Sequence, residues 1–143
     1  MTGQVKRVIA LDVGEKRFGV AVSDPFGWTA QGLETIHSKG WENDRSRVRE
    51  LLRQYDTNRL LVGMPLNLKG EEGHQAQQVR LFLQPLIDEG IEVRFQDERL
   101  TSVLADRTLM EAGVRREKRK QYIDKLAAAG ILQSFLDAGG WKE

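Results

Sequence analysis

The sequence contains no cysteine. That absence excludes disulfides, thiolate metal sites and cysteine nucleophiles together, and it fits a reducing compartment. Long apolar runs are also missing. No stretch is long enough to span a bilayer, and the opening residues Met1-Thr2-Gly3-Gln4-Val5-Lys6-Arg7 have no apolar signal core. The expectation is a cytoplasmic chain that makes no membrane contact. Neither charge sign dominates: 22 Lys and Arg stand against 21 Asp and Glu, so overall charge points to no class of partner. Internal repeats, low-complexity tracts and linkers are absent too. A chain of 143 residues reads as one domain, 1–143. That length buries about 68–70% of the surface an unfolded chain exposes, enough to do without covalent staples.

What is present begins with Asp12. It lies in Val8-Ile9-Ala10-Leu11-Asp12-Val13-Gly14, a run that otherwise reads as a strand covered on both faces. A carboxylate there is costly unless it is neutralised or sits at an open strand end. Gly14-Glu15-Lys16-Arg17 and the apolar run Phe18 to Val22 follow, giving a hairpin with an acid at its mouth and two cations on its turn. The pattern predicts strands over about 5–13 and 17–23, paired antiparallel, and a weaker third strand near Gly32 to His37. A helix is expected over 43–55, where Val48, Leu51, Leu52 and Tyr55 recur at helical spacing, then a fourth strand from Arg59 to Met64. After the loop 65–73, a helix over 74–89 should be kinked or weakened at Pro85, which lacks a donor, and stopped by Gly90. A fifth strand carries Ile91, Val93 and Phe95 and ends at Asp97-Glu98. Thr101 or Ser102 can cap a helix to about 112, and a last helix covers 119–138. The fold class is α/β, a mixed sheet with helices on both faces.

Three acidic positions fall on independent elements: Asp12, the pair Asp97 or Glu98, and Asp124. At 100° per residue Asp124 shares a helix face with Ala128, Ile131 and Phe135, a face that should pack on the sheet. Strand alternation puts Asp97 with Ile91, Val93 and Phe95, and Glu98 with Glu92 and Arg94, and leaves open which of the two joins the site. Carboxylates 4 Å apart repel by about 4 kcal/mol at an effective dielectric near 20. A group of three therefore raises its own pKa values or recruits a cation. Hard oxygen donors select Mg2+ or Mn2+, and two such ions suit hydrolysis of a phosphodiester.

Lys16 and Arg17 are placed to hold phosphate beside Asp12. Asn67 and Lys69, on the loop Asn67-Leu68-Lys69-Gly70, can meet a nucleic-acid backbone, which its glycine lets approach closely. Arg99 and Thr101 flank the proposed site and can position substrate. The cluster Arg115-Arg116-Glu117-Lys118-Arg119-Lys120 is of a kind that binds phosphate, although composition alone fits a solvated helix start. His37 and His74 read as surface residues. Trp28, Trp41 and Trp141 can stack bases; being scattered, they read as packing residues.

Four segments together resemble one known family: Leu11 to Asp24, Val62-Gly63-Met64-Pro65-Leu66-Asn67, Asp97-Glu98-Arg99-Leu100-Thr101 and Asp124-Lys125-Leu126-Ala127-Ala128. They are similar, in order and spacing, to the four motifs of the YqgF family. These are bacterial RNase H-like proteins described both as Holliday-junction resolvases and as nucleases maturing the small-subunit ribosomal RNA precursor. The resemblance implies an RNase H-like five-stranded mixed sheet in the order 3-2-1-4-5. It also implies catalytic and metal-holding carboxylates at Asp12, Glu98 and Asp124, and so prefers Glu98 to Asp97. Many nucleases of this fold carry an acid at the end of strand four; here Gly63-Met64-Pro65 stands there, so Glu98 must supply it from strand five. The expected activity is divalent-metal-dependent cleavage at the 5′ end of the 16S rRNA precursor, with Lys118, Arg119 and Lys120 helping to hold the backbone. A four-way DNA junction, with a homodimer to match it, is the neighbouring alternative. A non-catalytic RNA- or ribosome-binding factor is the alternative from another class. A sugar-kinase-like nucleotide fold, suggested by Asp12-Val13-Gly14, would need a second domain and a second phosphate loop.

Overall fold

The computed structural model describes residues 5–97 and 116–142, with side chains throughout except at 116–122. Its elements are β1 (Val8–Val13), β2 (Arg17–Ser23), β3 (Ala30–His37), α1 (Trp41–Gln54), β4 (Arg59–Met64), α2 (His74–Asp88), β5 (Glu92–Asp97) and α3 (Arg116–Asp137). The five strands form one sheet in the order β3-β2-β1-β4-β5. β1–β2 and β2–β3 are antiparallel; β1–β4 and β4–β5 are parallel. The expected helix capped by Thr101 or Ser102 lies outside the described residues.

The central strands read as near-continuous apolar runs because both sheet faces are covered. Ile9 and Leu11 join Phe18, Val20, Leu60 and Val62 in a core closed by α1 and α2. The alternate residues Val8, Ala10, Ala21 and Leu61 pack instead on Ala128, Ile131 and Leu132 of α3. Asp12 continues the second series, so alternation aims it at the α3 face.

Pro85 does not end α2, which runs on to Asp88. A proline there cannot donate to the carbonyl of Leu81. Arg45 of α1 reaches into the gap: its Nε donates to the Phe82 carbonyl at 2.8 Å and its Nη2 approaches that of Leu81 at 3.5 Å. The helix stops as expected at Gly90, whose φ is 96°. The Gly90 and Ile91 N–H groups return to the carbonyls of Ile87 and Leu86, the double bond that closes a helix through a left-handed glycine.

Packing was the expected role for the tryptophans, and Trp28, 74% exposed, corrects it. Trp41 packs edge-on against Phe82 with part of its surface exposed, and Trp141 packs against Phe135. Trp28 stands out because the β2–β3 turn beneath it is tied internally. The Asp24 carboxylate accepts the N–H groups of Phe26, Trp28 and Thr29 and the Thr29 hydroxyl. The Thr29 hydroxyl foremost, and then these N–H groups, hold Asp24 well below the usual carboxylate range.

A pKa lowered by folding contributes stability that is present above the unfolded value and lost as pH falls toward the folded one. The melting temperature of the unaltered chain should therefore exceed that of Asp24→Asn at neutral pH. The gap should narrow once pH drops below about 4, the ordinary aspartate value. Melting curves of both proteins from pH 7 to pH 3 check this; a gap independent of pH would contradict the turn's dependence on the carboxylate.

Candidate functional site

The hairpin that carries Asp12 closes tightly. The Gly14 N–H donates to the Arg17 carbonyl at 3.0 Å, and a Cβ at Gly14 would lie 2.6 Å from that same oxygen. Only glycine leaves room for this turn, which brings Arg17 back beside the end of β1. In the ladder Asp12 pairs with Gly19. Gly19 in turn supports α3: a Cβ on it would fall 1.8 Å from the Asp124 carbonyl oxygen and 3.0 Å from its Cα. The helix backbone thus rests on the bare strand at the position next to Asp12. Two carboxylates from elements more than a hundred residues apart share one patch of the α3 face.

Arg17 binds one of them. Its Nε donates to Asp124 Oδ2 at 2.8 Å, with the arginine side chain 38% exposed and the aspartate 16% exposed. The expectation for Arg17 was phosphate; the structure gives it Asp124 as its partner, which it orients and neutralises. The pairing leaves guanidinium donors over, because Arg carries five N–H groups. Sequence reading missed this contact and the role of Gly19.

The choice between Asp97 and Glu98 narrows from one side. Val93 and Phe95 pack on the α1/α2 core, whereas the Gln96 side chain reaches Ser134 of α3 at 3.4 Å. Asp97 therefore belongs to the face opposite Asp12 and Asp124. Glu98, Arg99 and Thr101 lie outside the described residues. Among the described residues no three His, Cys, Asp or Glu gather as a metal site. The two acids that do share a face are hard oxygen donors, the kind that suits Mg2+ or Mn2+ rather than a softer metal.

The remaining candidates distribute around this edge of the sheet. Lys16 is exposed on the hairpin. Parallel pairing of β1 with β4 brings the loop after Met64 to the same edge. There Asn67 spends its side-chain oxygen on the N–H groups of Lys69 and Glu71, each at 2.9 Å, ordering its own turn, while Lys69 is exposed. Lys118, Arg119 and Lys120 lie in the first turns of α3, one to two turns ahead of Asp124. His37 and His74 are exposed, as expected. On the other face, a cleft of about 580 Å3 opens beside Val13 and Gly14, walled by Trp41, Gln75, Gln78 and Phe82.

Comparison with known proteins agrees with the fold. The model of a family described as "RuvX: Holliday junction resolvase" matches residues 6–138. A relative from Moorella thermoacetica is 50% identical over 135 residues, covering 94% of this chain and 96% of its own. One from Desulforamulus reducens is 46% identical over 134 residues, covering 93% and 98%. Both carry the name "Putative pre-16S rRNA nuclease". Among solved structures, Thermus thermophilus RuvC in complex with a Holliday junction substrate matches with a TM-score of 0.58 at 15% identity, over 94% of this chain and 97% of that one. The fowlpox virus resolvase with junction DNA matches with a TM-score of 0.57 at 12% identity, over 92% and 97%. At such identities the likeness speaks for the fold alone, an RNase H-like sheet with its flanking helices. The family model and the close relatives go further: the chain belongs to the RuvX family of nucleases, the family that its four motifs resemble under the name YqgF.

Proposed function

We propose that the chain is a divalent-metal-dependent nuclease acting on the 5′ end of the 16S rRNA precursor in the cytoplasm. The observation that carries the chemistry is the placement of Asp12 and Asp124 on one face, brought together by the bare backbone of Gly19. The substrate follows from the name borne by relatives at 46% and 50% identity. Asp12 and Asp124 hold the cation, and Glu98 is the third carboxylate. When bound, a divalent cation supplies an activated water and positive charge for the leaving oxygen. Arg17 keeps Asp124 in position and has donors left for a phosphate oxygen. Lys16 and Lys69 hold the backbone on either side, joined by Asn67, Arg99, Thr101, Lys118, Arg119 and Lys120.

The description of the matching family favours a second reading, a four-way DNA junction cut by a symmetric dimer. One assay separates the two. Purified protein is given a labelled precursor fragment or a four-way junction, each with Mg2+, Mn2+ or EDTA. Metal-dependent cutting of the RNA at a defined position, with the junction left whole, is the expected result. Cutting of the junction alone would transfer the proposal to DNA. Binding of either substrate without cutting in any metal would leave a non-catalytic RNA-binding factor as the better reading.

A further inference from the structure

Arginine meets carboxylates in two ways in this fold. Arg47, Arg49 and Arg80 each grip a glutamate with a fork. Nε and Nη2 of Arg47 donate to the two oxygens of Glu34, those of Arg49 to Glu89 and those of Arg80 to Glu72. Parallel bonds of this kind fix both partners. Arg17 meets Asp124 differently. Its Nε alone donates, to Oδ2 at 2.8 Å, so Asp124 Oδ1 and the two Nη groups of Arg17 take no part in the pair. The two partners are also unequally held. Asp124 is 16% exposed and belongs to a helix whose backbone rests on Gly19. Arg17 stands beside the hairpin turn with its side chain 38% exposed, so it can turn toward solvent without disturbing the core.

The guanidinium and a cation held between Asp12 and Asp124 draw on the same carboxylate. The two acids bring two negative charges to the patch, and Arg17 cancels one of them. A divalent ion carries twice the charge of Arg17 and approaches oxygen to about 2.1 Å, closer than a hydrogen-bonded nitrogen can. It therefore has the stronger claim on Asp124, and a guanidinium left on that carboxylate would repel it. A single bond from an exposed side chain is the arrangement that yields most readily. The fork that Arg17 does not use on Asp124 matches two oxygens of a phosphate.

We propose that Arg17 is an exchangeable counter-ion. It neutralises Asp124 until a divalent cation takes the carboxylate, and it then turns its guanidinium to a phosphate oxygen of the substrate. Arg17 is a positioning residue on this account, and its removal helps the metal to bind while it slows the reaction. The inference rests on Asp12 and Asp124 being the pair that holds the metal.

The test is Mn2+ binding by the full chain without nucleic acid, read from the electron paramagnetic resonance of unbound Mn2+. Arg17→Gln and Arg17→Ala should each bind Mn2+ roughly tenfold more tightly than the unaltered chain, and either suffices should the other fail to fold. Arg17→Lys keeps the charge and should return most of the way to the unaltered affinity. Arg49→Gln removes the same charge from a pair on the other side of the sheet and should change nothing. Single-turnover cleavage gives a second readout: Arg17→Gln should reach half its maximal rate at a lower Mn2+ concentration, and that maximal rate should itself be lower. Weaker Mn2+ binding without Arg17 would make it a fixed support of a metal-bound Asp124 and overturn the exchange. Unchanged binding, or equal tightening in Arg49→Gln, would overturn it too. Asp12→Asn and Asp124→Asn separate the inference from the reading beneath it. Binding lost in both but indifferent to Arg17 removes the exchange alone; binding indifferent to both aspartates removes the carboxylate site and the exchange with it.

Discussion

Asp12→Asn should abolish cleavage and leave the fold and nucleic-acid affinity in place. The substitution keeps the side chain's shape and removes one negative charge. Asp12 pairs with Gly19 through the backbone, so the ladder does not depend on its carboxylate. On the proposed reading, the substitution removes one of the two described carboxylates that would hold the cation. Metal-ion catalysis is worth several kcal/mol of transition-state stabilisation, which at 1.36 kcal/mol per tenfold corresponds to about a thousandfold in rate. Single-turnover cleavage at saturating Mn2+, beside anisotropy of the uncut substrate, measures both quantities. Asp97→Asn is the internal control. It removes the same charge from the end of β5, two strands across the sheet from β1 and on the face that packs on α1 and α2, and the rate should stay within about threefold of the unaltered chain. An Asp12→Asn rate within about tenfold of the unaltered chain would remove Asp12 from the chemistry. Equal losses in Asp12→Asn and Asp97→Asn would indicate an effect of charge and not of position.

How far the chain could be read in advance depended on how local each determinant is. β2 and β4 have the limits expected of them, because each is a mostly apolar run closed by a turn residue. β1 starts at Val8, not near residue 5, because the Val5 N–H is taken by the Pro25 carbonyl, outside the ladder. Ala30 and Gln31 also belong to β3, an edge strand with an exposed side, where the apolar pattern is weakest. α1 begins at Trp41, after Gly40, two residues ahead of the expected start. α3 begins at Arg116, so the charged run thought to precede the helix largely forms its first turns.

The site divides in the same way. The direction of Asp12 and of Asp124 follows from strand alternation and helical spacing, both local rules. Their meeting follows from neither. The Arg17–Asp124 contact joins positions 107 residues apart, and Arg17 sits on a turn where solvent is the natural expectation for a cation. Gly19 reads in the sequence as one small residue in a strand. Its importance appears only once α3 is laid across it, since what it supplies is the absence of a side chain. The exposed Trp28 belongs to this group too: a ring of that size suggests burial, and only the closed hydrogen-bonding of Asp24 shows how the turn holds it outside.

Gly19→Ala should be the most damaging single substitution outside the carboxylates, and it should damage stability and activity together. The added methyl would sit 1.8 Å from the Asp124 carbonyl oxygen. The obstacle is backbone on both sides, so no rotamer change relieves it, and α3 must lift from β2. Overpacking of this kind costs about 3 kcal/mol or more when backbone has to move, and for a chain of this length that lowers the melting temperature by roughly 10 °C. The lift also carries Asp124 away from Asp12 and from Arg17, so molecules that remain folded should cleave slowly. Gly32 provides the graded comparison. It faces the same helix, but a Cβ there would meet the Lys125 Cβ at 3.2 Å and the Lys125 carbonyl oxygen only at an ordinary contact of 3.5 Å. Gly32→Ala should therefore cost about 1 kcal/mol or less and keep its activity. Thermal melts and single-turnover cleavage of both variants, at a temperature where each is folded, test the series. A Gly19→Ala protein as stable and as active as Gly32→Ala would show that α3 does not rest on the bare strand, and the proximity of Asp12 to Asp124 would lose its structural basis.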